Sequence, residues 1–401
     1  MSPANFDQTS TLTEFPSRPV SECGSPLASP RLRPKKVPTI PNDDSFEINL
    51  RDNYNEDTLR SKVFELVRQQ IPSWKESKVD HIKLIHLSGA MTNCIYVVEN
   101  TNPLIYKGPN KVLLRIYGVG VETFIEREKE ITWLSKLSIC KVGPRLLGTF
   151  HNGRLEEYLD SDTLTHYDII DPNVSIHIAK RMSDLHNIAL RYPPPKGTVA
   201  EIWKNIYKWL PIAEKDYQRL QHLMDKECYQ IDFEDVKSKL NQLQEIIKTM
   251  NSNLMFCHND AQYGNILRLK SNGELVVVDF EYAGYSYPAF DIANHFCEWM
   301  ANYHSDRPHY LNENDYPNKS EQLNFLKAYL ESQRGSFTTE ELHEFQKEVE
   351  CFSLLSHLKW GFWGIIQAGT STIDFNYMAY GTQRLNFLNR YFEKYTREIN
   401  H

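Results

Sequence analysis

Apolar residues at Leu59, Val63, Leu66 and Val67 recur at helical spacing, which predicts a first helix over 59–70. From Ile82 the period shortens to two. Ile82, Leu84 and His86 alternate, Ser88-Gly-Ala-Met-Thr-Asn93 interrupts, and a strand resumes over 94–98. A third strand is expected over 112–117, then a charged helix over 121–137 with Phe124, Ile131, Leu134 and Leu137 on one face. Strands over 146–150 and 154–159 flank the turn Asn152-Gly153. Beyond residue 160 the helical period takes over, at 174–188, 202–223, 233–250, 291–303, 320–334 and 340–358. One β-island, 255–280, interrupts it.

This order predicts an α+β, bilobal, protein-kinase-like fold. A small β-rich N-lobe covers 45–160 and a larger, mainly helical C-lobe covers 161–401. Residues 1–44 are Ser/Pro-rich and end in the basic run Arg31-Leu-Arg-Pro-Lys-Lys36. That segment buries too little apolar surface to offset its ordering entropy, so a disordered tail is expected, in which Ser25 and Ser29 precede prolines.

Composition narrows the class. Forty-five Lys and Arg against 52 Asp and Glu give a net charge of −7, so no general attraction to nucleic acid or anionic lipid is expected. The seven cysteines show neither a CxxC pair nor a zinc spacing and read as reduced thiols of a cytoplasmic protein. The apolar stretch 360–373 is too short to span a bilayer.

The β-island carries the chemistry: His258-Asn-Asp260-Ala-Gln262-Tyr-Gly-Asn265, then Asn272-Gly273, then an apolar strand ending Asp279-Phe-Glu281. If Asn272 and Gly273 form a two-residue hairpin turn, Asn265 faces Phe280 and Ile266 faces Asp279, about 4.5–5.5 Å apart between Cα atoms. An amide oxygen and a carboxylate on adjacent rungs suit Mg²⁺, which keeps water and phosphate oxygens as further ligands. Asp260, on the preceding loop, can accept a hydrogen bond from an incoming hydroxyl, the task of a base in phosphoryl transfer. His258 reads as a brace for that loop. An isolated Asp is usually a cap or a solvated charge; His-x-Asp-x₄-Asn followed by a hairpin and Asp-Phe-Glu is far rarer.

These segments resemble the choline/ethanolamine kinase family. Cys257-His-Asn-Asp260-Ala-Gln-Tyr-Gly-Asn265-Ile-Leu is similar to its phosphotransferase motif. Val278-Asp279-Phe-Glu-Tyr282-Ala-Gly, continuing through Phe290-Asp-Ile-Ala-Asn-His295-Phe-Cys-Glu298-Trp-Met, is similar to its choline-kinase motif. The likeness runs from about Ile82 to the C-terminus and implies ATP and Mg²⁺ as cofactors, Asp260 as base, Asn265 and Asp279 as metal ligands, and Gln262 near the nucleotide. It also implies that Ser88, Gly89, Ala90, Met91, Thr92 and Asn93 cover phosphates, and that Glu157, Tyr158 and Leu159 form a hinge against adenine. Arg115 stands where protein kinases place a lysine, and a guanidinium can bridge phosphate oxygens bidentately. Glu128 or Glu130 would orient it, the resemblance leaning to Glu130.

Aromatic residues make up 12% of the chain, and in its last third they recur at helical spacing. His295, Trp299 and Tyr303 form one stripe, Trp360 and Trp363 a second, Tyr377 and Tyr380 a third. A ring stripe is usually core. Three of them near one catalytic loop fit a cage for a quaternary ammonium, which cannot donate hydrogen bonds but is attracted to ring faces by about 0.5–2 kcal/mol each. By resemblance Tyr282, Glu298, Tyr303, Trp360, Trp363, Tyr377 and Tyr380 line a choline pocket. The expected activity is ATP-dependent phosphorylation of choline, with ethanolamine as a secondary substrate, and the resemblance allows a homodimer. An ethanolamine-preferring kinase and a catalytically silent ammonium-binding module remain alternatives.

Overall fold

The computed structural model describes residues 40–49, 55–87, 93–105, 108–118, 126–250 and 252–399. Ser25, Ser29 and the expected phosphate-covering residues Ser88, Gly89, Ala90, Met91 and Thr92 lie outside them.

The N-terminal lobe contains β1 (Asn42–Asp43), α1 (Glu56–Gln70), β2 (Ile82–Leu87), β3 (Asn93–Asn100), β4 (Lys111–Tyr117), α2 (Arg127–Cys140), β5 (Leu146–Phe150) and β6 (Gly153–Glu157). Its six strands form one sheet in the order β1-β5-β6-β4-β3-β2. Asn42 and Asp43, placed in the tail by composition, instead pair in parallel with Thr149 and Phe150 of β5. Val63, Leu66 and Val67 of α1 pack with Val98, Val112, Leu114 and Leu155 of the sheet, so the helical stripe and the period-two stripes close one core. Asn55 caps α1 by accepting from the N–H of Thr58 at 2.8 Å.

The second lobe runs through β7 (Ser161–Thr163), α3 (His166–Ile169), α4 (Pro172–His186), α5 (Ile188–Arg191), α6 (Glu201–Arg219), α7 (Phe233–Thr249), β8 (Met255–Cys257), β9 (Ile266–Leu269), β10 (Leu275–Val277), β11 (Gly284–Ser286), α8 (Pro288–Glu298), α9 (Lys319–Arg334), α10 (Thr339–Ala368) and α11 (Tyr377–Ile399). Its core joins these helices around Phe296, Phe325, Phe352 and Phe362. A third cluster bridges the lobes, with Trp133 and Leu137 of α2 against Phe256, Val277 and Phe280. Among the described residues no helix is long and apolar enough to cross a membrane.

Three expectations are corrected here. The β9–β10 hairpin does not turn on two residues. Leu269 N–H pairs with Glu274 O at 2.9 Å and Gly273 N–H reaches Leu269 O at 2.8 Å, so Lys270–Gly273 make a four-residue loop closed by Gly273 at φ +73°. Ile266 therefore faces Val277 rather than Asp279, and Asn265 lies beside Val278 rather than Phe280, with Val278 N–H donating to Asn265 O at 2.9 Å. Helix α8 ends at Glu298, short of the 303 expected, because Ala301 bridges to Leu311 and draws the chain out of the helix. Tyr303 is thus a loop residue and does not continue the His295 stripe. Helix α10 runs on past Leu358 to Ala368, which takes in the first nine residues of the apolar stretch 360–373, with both of its tryptophans.

Candidate active site

The loop that carries Asp260 is held from behind by one buried carboxylate. Asp291, near the start of α8, accepts the backbone N–H groups of His258 and Asn259, each at 2.7 Å, and His186 Nε2–H at 3.0 Å. The Tyr329 hydroxyl donates to His186 Nδ1 at 2.7 Å, which fixes that tautomer. Burial pushes the Asp291 carboxyl up, but the His186 hydrogen bond and its other donors outweigh it and hold the carboxyl below the ordinary range. His258 braces the loop as the sequence indicates: its Nε2 donates to Val278 O at 2.9 Å, and burial keeps the ring neutral.

Asp260 emerges from this brace into the cleft between the lobes. The Asn265 amide donates to its carbonyl at 2.9 Å and to its carboxylate at 3.1 Å, which leaves the Asn265 oxygen for a cation. Burial, with Glu298 and Asp279 nearby, pushes the Asp260 carboxyl well up, against the opposing pull of the Lys359 ammonium. The Gln262 side chain folds back onto its own loop, accepting from Gly264 N–H at 2.7 Å, so the amide oxygen expected near a nucleotide is already engaged.

Asp279 sits just past β10 with φ +66°, and Asn259 has φ +63°. Such backbone costs about 1–3 kcal/mol for a residue with a side chain and survives where its surroundings over-determine it. Here Asn259 is held by Asp291 and by the Tyr282 carbonyl, and Asp279 by its contact with Arg115. Asp279 Oδ1 is buried without a hydrogen-bond partner, while Oδ2 meets Arg115 Nη1 at 3.4 Å. An orphaned carboxylate oxygen is a hard ligand of the kind Mg²⁺ takes, and Asn265, whose backbone carbonyl accepts from Val278 N–H next to Asp279, could offer its amide oxygen as a second.

Arg115 projects from β4 and lies 3.4 Å from Glu156 as well as from Asp279. The expected partner is corrected: Glu130 pairs instead with Arg154 at 2.8 Å and Arg127 at 3.0 Å, and Glu128 is exposed. Arg154 pairs with both Glu130 and Glu156, so Arg115 shares Glu156 with it and turns its other face to Asp279. Asn93 and Arg127 of the first lobe donate to Glu281 at 2.7 and 2.9 Å, which ties the two lobes two residues beyond Asp279. The side chain of Glu157 is spent on Arg145 at 3.1 Å, and Lys111 lies over the Tyr158 ring at 5.6 Å. Leu159 O accepts from Ser161 Oγ at 3.0 Å.

On the other side of Asp260 the rings converge. Tyr282 and Trp360 have centroids 5.5 Å apart, Trp360 and Trp363 5.5 Å, Trp363 and Tyr377 5.6 Å, and Trp363 and Tyr380 6.2 Å. Trp363 Nε1 donates to the Tyr282 hydroxyl at 3.1 Å. Glu298 closes the group, accepting from Tyr303 at 2.7 Å and from the buried Arg384 at 2.5 Å, so both of its oxygens have internal partners. The rings hang on the catalytic loop: Asn259 Nδ2 donates to Tyr282 O at 3.0 Å, and Tyr303 N–H to the Tyr263 hydroxyl at 2.7 Å.

Sequence reasoning missed Lys359, Arg384, Glu156 and Glu281. Lys359 is fully buried one residue before Trp360, where helical phase alone would have placed a charge in the core. Burial pushes its ammonium down to about 8 although Asp260 pulls it up.

A two-lobed fold, with a braced Asp260 loop in one lobe and a buried arginine of the other lobe against Asp279, is the plan of a kinase-like phosphotransferase. The model of the choline/ethanolamine kinase family matches residues 84–389. The chain belongs to that family. It is 37% identical over 338 residues to a protein named "Probable choline kinase 2" from Arabidopsis thaliana, covering 82% of this chain and 93% of that one. It is 34% identical over 335 residues to the choline/ethanolamine kinase of Mus musculus, covering 79% and 82%. The solved choline kinase of Cryptosporidium parvum superposes with a TM-score of 0.72 at 26% identity, over 84% of this chain and 96% of that one.

Proposed function

We propose that the protein transfers the γ-phosphoryl group of ATP to choline, making phosphocholine, with ethanolamine as a secondary acceptor. The observation that supports this reading is that the Asn265 amide donates to the Asp260 carboxylate while Asn259, one residue before Asp260, donates to the carbonyl of Tyr282 in the ring cluster. The choline hydroxyl donates to Asp260 while its oxygen attacks the γ-phosphorus. The new P–O bond forms as the bond to the β-phosphate oxygen breaks, ADP leaves, and the hydroxyl proton passes to Asp260. Asn265 and Asp279 would hold Mg²⁺, which neutralises phosphate charge when bound. Arg115 supplies a second, fixed positive charge from the opposite lobe, and Asn93 with Glu157, Tyr158 and Leu159 frames the nucleotide side.

The acceptor pocket favours an ammonium without N–H donors. Tyr282, Trp360, Trp363, Tyr377 and Tyr380 offer ring faces, and the Glu298 carboxylate is already occupied by Tyr303 and Arg384. The primary ammonium of ethanolamine loses three water hydrogen bonds there and regains fewer. The deciding experiment is a phosphorylation assay with radiolabelled ATP, choline and ethanolamine run side by side, on the natural chain and on Asp260→Ala. Labelled phosphocholine is expected with a higher kcat/KM than phosphoethanolamine, and the variant should lose turnover while still binding ATP. Full turnover by Asp260→Ala, or none on choline by the natural chain, would refute the assignment.

A further inference from the structure

Lys359 on α10 has no exposed surface. Its Nζ donates to the Asn259 carbonyl at 2.7 Å and stands 4.3 Å from the Trp360 ring centre, 4.8 Å from that of Tyr282 and 5.6 Å from that of Phe290. Among the described residues its Nζ thus meets one carbonyl and three ring faces at close range, with the Asp260 carboxylate acting on it from farther off. An ammonium is costly to bury on such partners, and an apolar side chain would fill the same space without that cost.

The carbonyl it holds has particular value. It belongs to the rigid peptide unit whose N–H is Asp260's own, so fixing it fixes the base of the Asp260 side chain. The other edge of Asn259 is already clamped, its N–H by Asp291 at 2.7 Å and its amide by the Tyr282 carbonyl at 3.0 Å. The same ammonium also occupies ring density of Tyr282 and Trp360, two rings of the acceptor cluster. A second cation brought against that cluster meets a like charge and rings already shared.

We propose that Lys359 is a positioning and specificity-setting residue: a resident cation that pins the Asn259–Asp260 peptide and limits how tightly the ring cluster holds the ammonium of the acceptor. This rests on reading that cluster as the choline pocket. It explains why a charged residue stands in a ring-lined interior. The pocket gives up some affinity for its cationic substrate, and the loop gains a fixed donor.

The test is Lys359→Met, similar in length and uncharged, with kcat and KM measured for choline and for its neutral carbon isostere, 3,3-dimethylbutan-1-ol. Without the resident charge the KM for choline should fall about three- to tenfold. The KM for the isostere should stay within about twofold, and kcat for both should fall about tenfold because the Asn259 carbonyl loses its donor. A purely structural residue would lower kcat alone or move both KM values together. Either of those results, or an unchanged KM for choline, overturns the proposal. Lys359→Gln keeps an N–H donor without the charge. It should show the same choline-specific fall in KM with kcat partly restored, and it decides the matter if the Met variant does not fold. Natural enzyme without choline turnover would refute the pocket assignment. Natural enzyme with turnover but variants without the KM split would refute only the role of Lys359.

Discussion

Gly364 and Gly381 meet where α10 crosses α11, so closely that a Cβ on Gly364 would lie 2.8 Å from the Gly381 Cα. On the other helix a Cβ on Gly381 would come within 2.8 Å of both Gly361 O and Ile365 N. Neither contact can relax by a side-chain rotation, because the atoms met are backbone. The crossing brings Trp360 and Trp363 on one helix against Tyr377 and Tyr380 on the other. The ring cluster is therefore built by three glycines as much as by its aromatic residues.

Gly381→Ala should push the helices apart and loosen the rings. The expected cost is about 1–3 kcal/mol, the range for overpacking a tight interior site. Thermal melting should show a lower Tm. The KM for choline should rise several-fold while the KM for ATP, which is read on the other side of Asp260, changes little. Equal changes in both would show that the crossing does not shape the acceptor pocket.

A second prediction concerns Asp279 as the proposed Mg²⁺ ligand. Asp279→Asn removes one charge from the oxygen pair and leaves Arg115 with Glu156 alone among its two carboxylate partners. Turnover should fall by about two orders of magnitude, and half-maximal activity should need roughly tenfold more Mg²⁺. A Mg²⁺ titration of both proteins checks this. An unshifted Mg²⁺ dependence would place the ion elsewhere.

The order of elements and the family motif around Asp260 were legible because each rests on a local signal. Periods of two and 3.6 mark the strands and helices, and His258, Asp260 and Asn265 sit within eight residues of one another. The hairpin register was not legible. Asn272-Gly273 suits a two-residue turn and equally closes a four-residue loop, and only the pairing of Leu269 with Glu274 distinguishes them. Nor were the ion-pair partners of Arg115, since Glu130 and Glu156 are both in reach and the choice is made by Arg154 from a neighbouring strand. Tyr303 reached the ring cluster through a loop that helical spacing misread. Lys359 and the three glycines carry no chemistry in a pattern search; their meaning comes from what the fold places against them.

Acid should weaken the fold through His295, which lies directly behind the catalytic loop. Its Nδ1 donates to Ala261 O at 2.8 Å, and burial pushes its proton affinity down to about 4. In the unfolded chain the same ring takes its proton near the ordinary 6.5. Between pH 6.5 and 4 the unfolded state binds more protons, so stability is complete above 6.5 and falls as the pH drops, by about 3 kcal/mol from this group. Buried His258 and His357, both held neutral, act in the same direction. His295→Gln keeps a donor for Ala261. Urea unfolding at pH 7 and at pH 4.5 should show a smaller difference for the variant than for the natural chain; an equal difference would acquit His295.

The choice of acceptor should turn on Trp363. This ring contacts Trp360, Tyr377 and Tyr380 and donates through Nε1 to the Tyr282 hydroxyl. A trimethylammonium lying against these rings gains from each face, and its methyl groups fill apolar space that a primary ammonium leaves empty. Trp363→Ala removes one face worth about 0.5–2 kcal/mol together with the packing that orients two tyrosines. The KM for choline should rise about tenfold or more. For ethanolamine, which binds mainly by what hydrogen bonds it can recover, the rise should be smaller. Steady-state kinetics with both acceptors at saturating ATP read the ratio directly. If the two KM values rise in parallel, the ring faces serve shape rather than charge, and the preference for choline must come from elsewhere in the pocket.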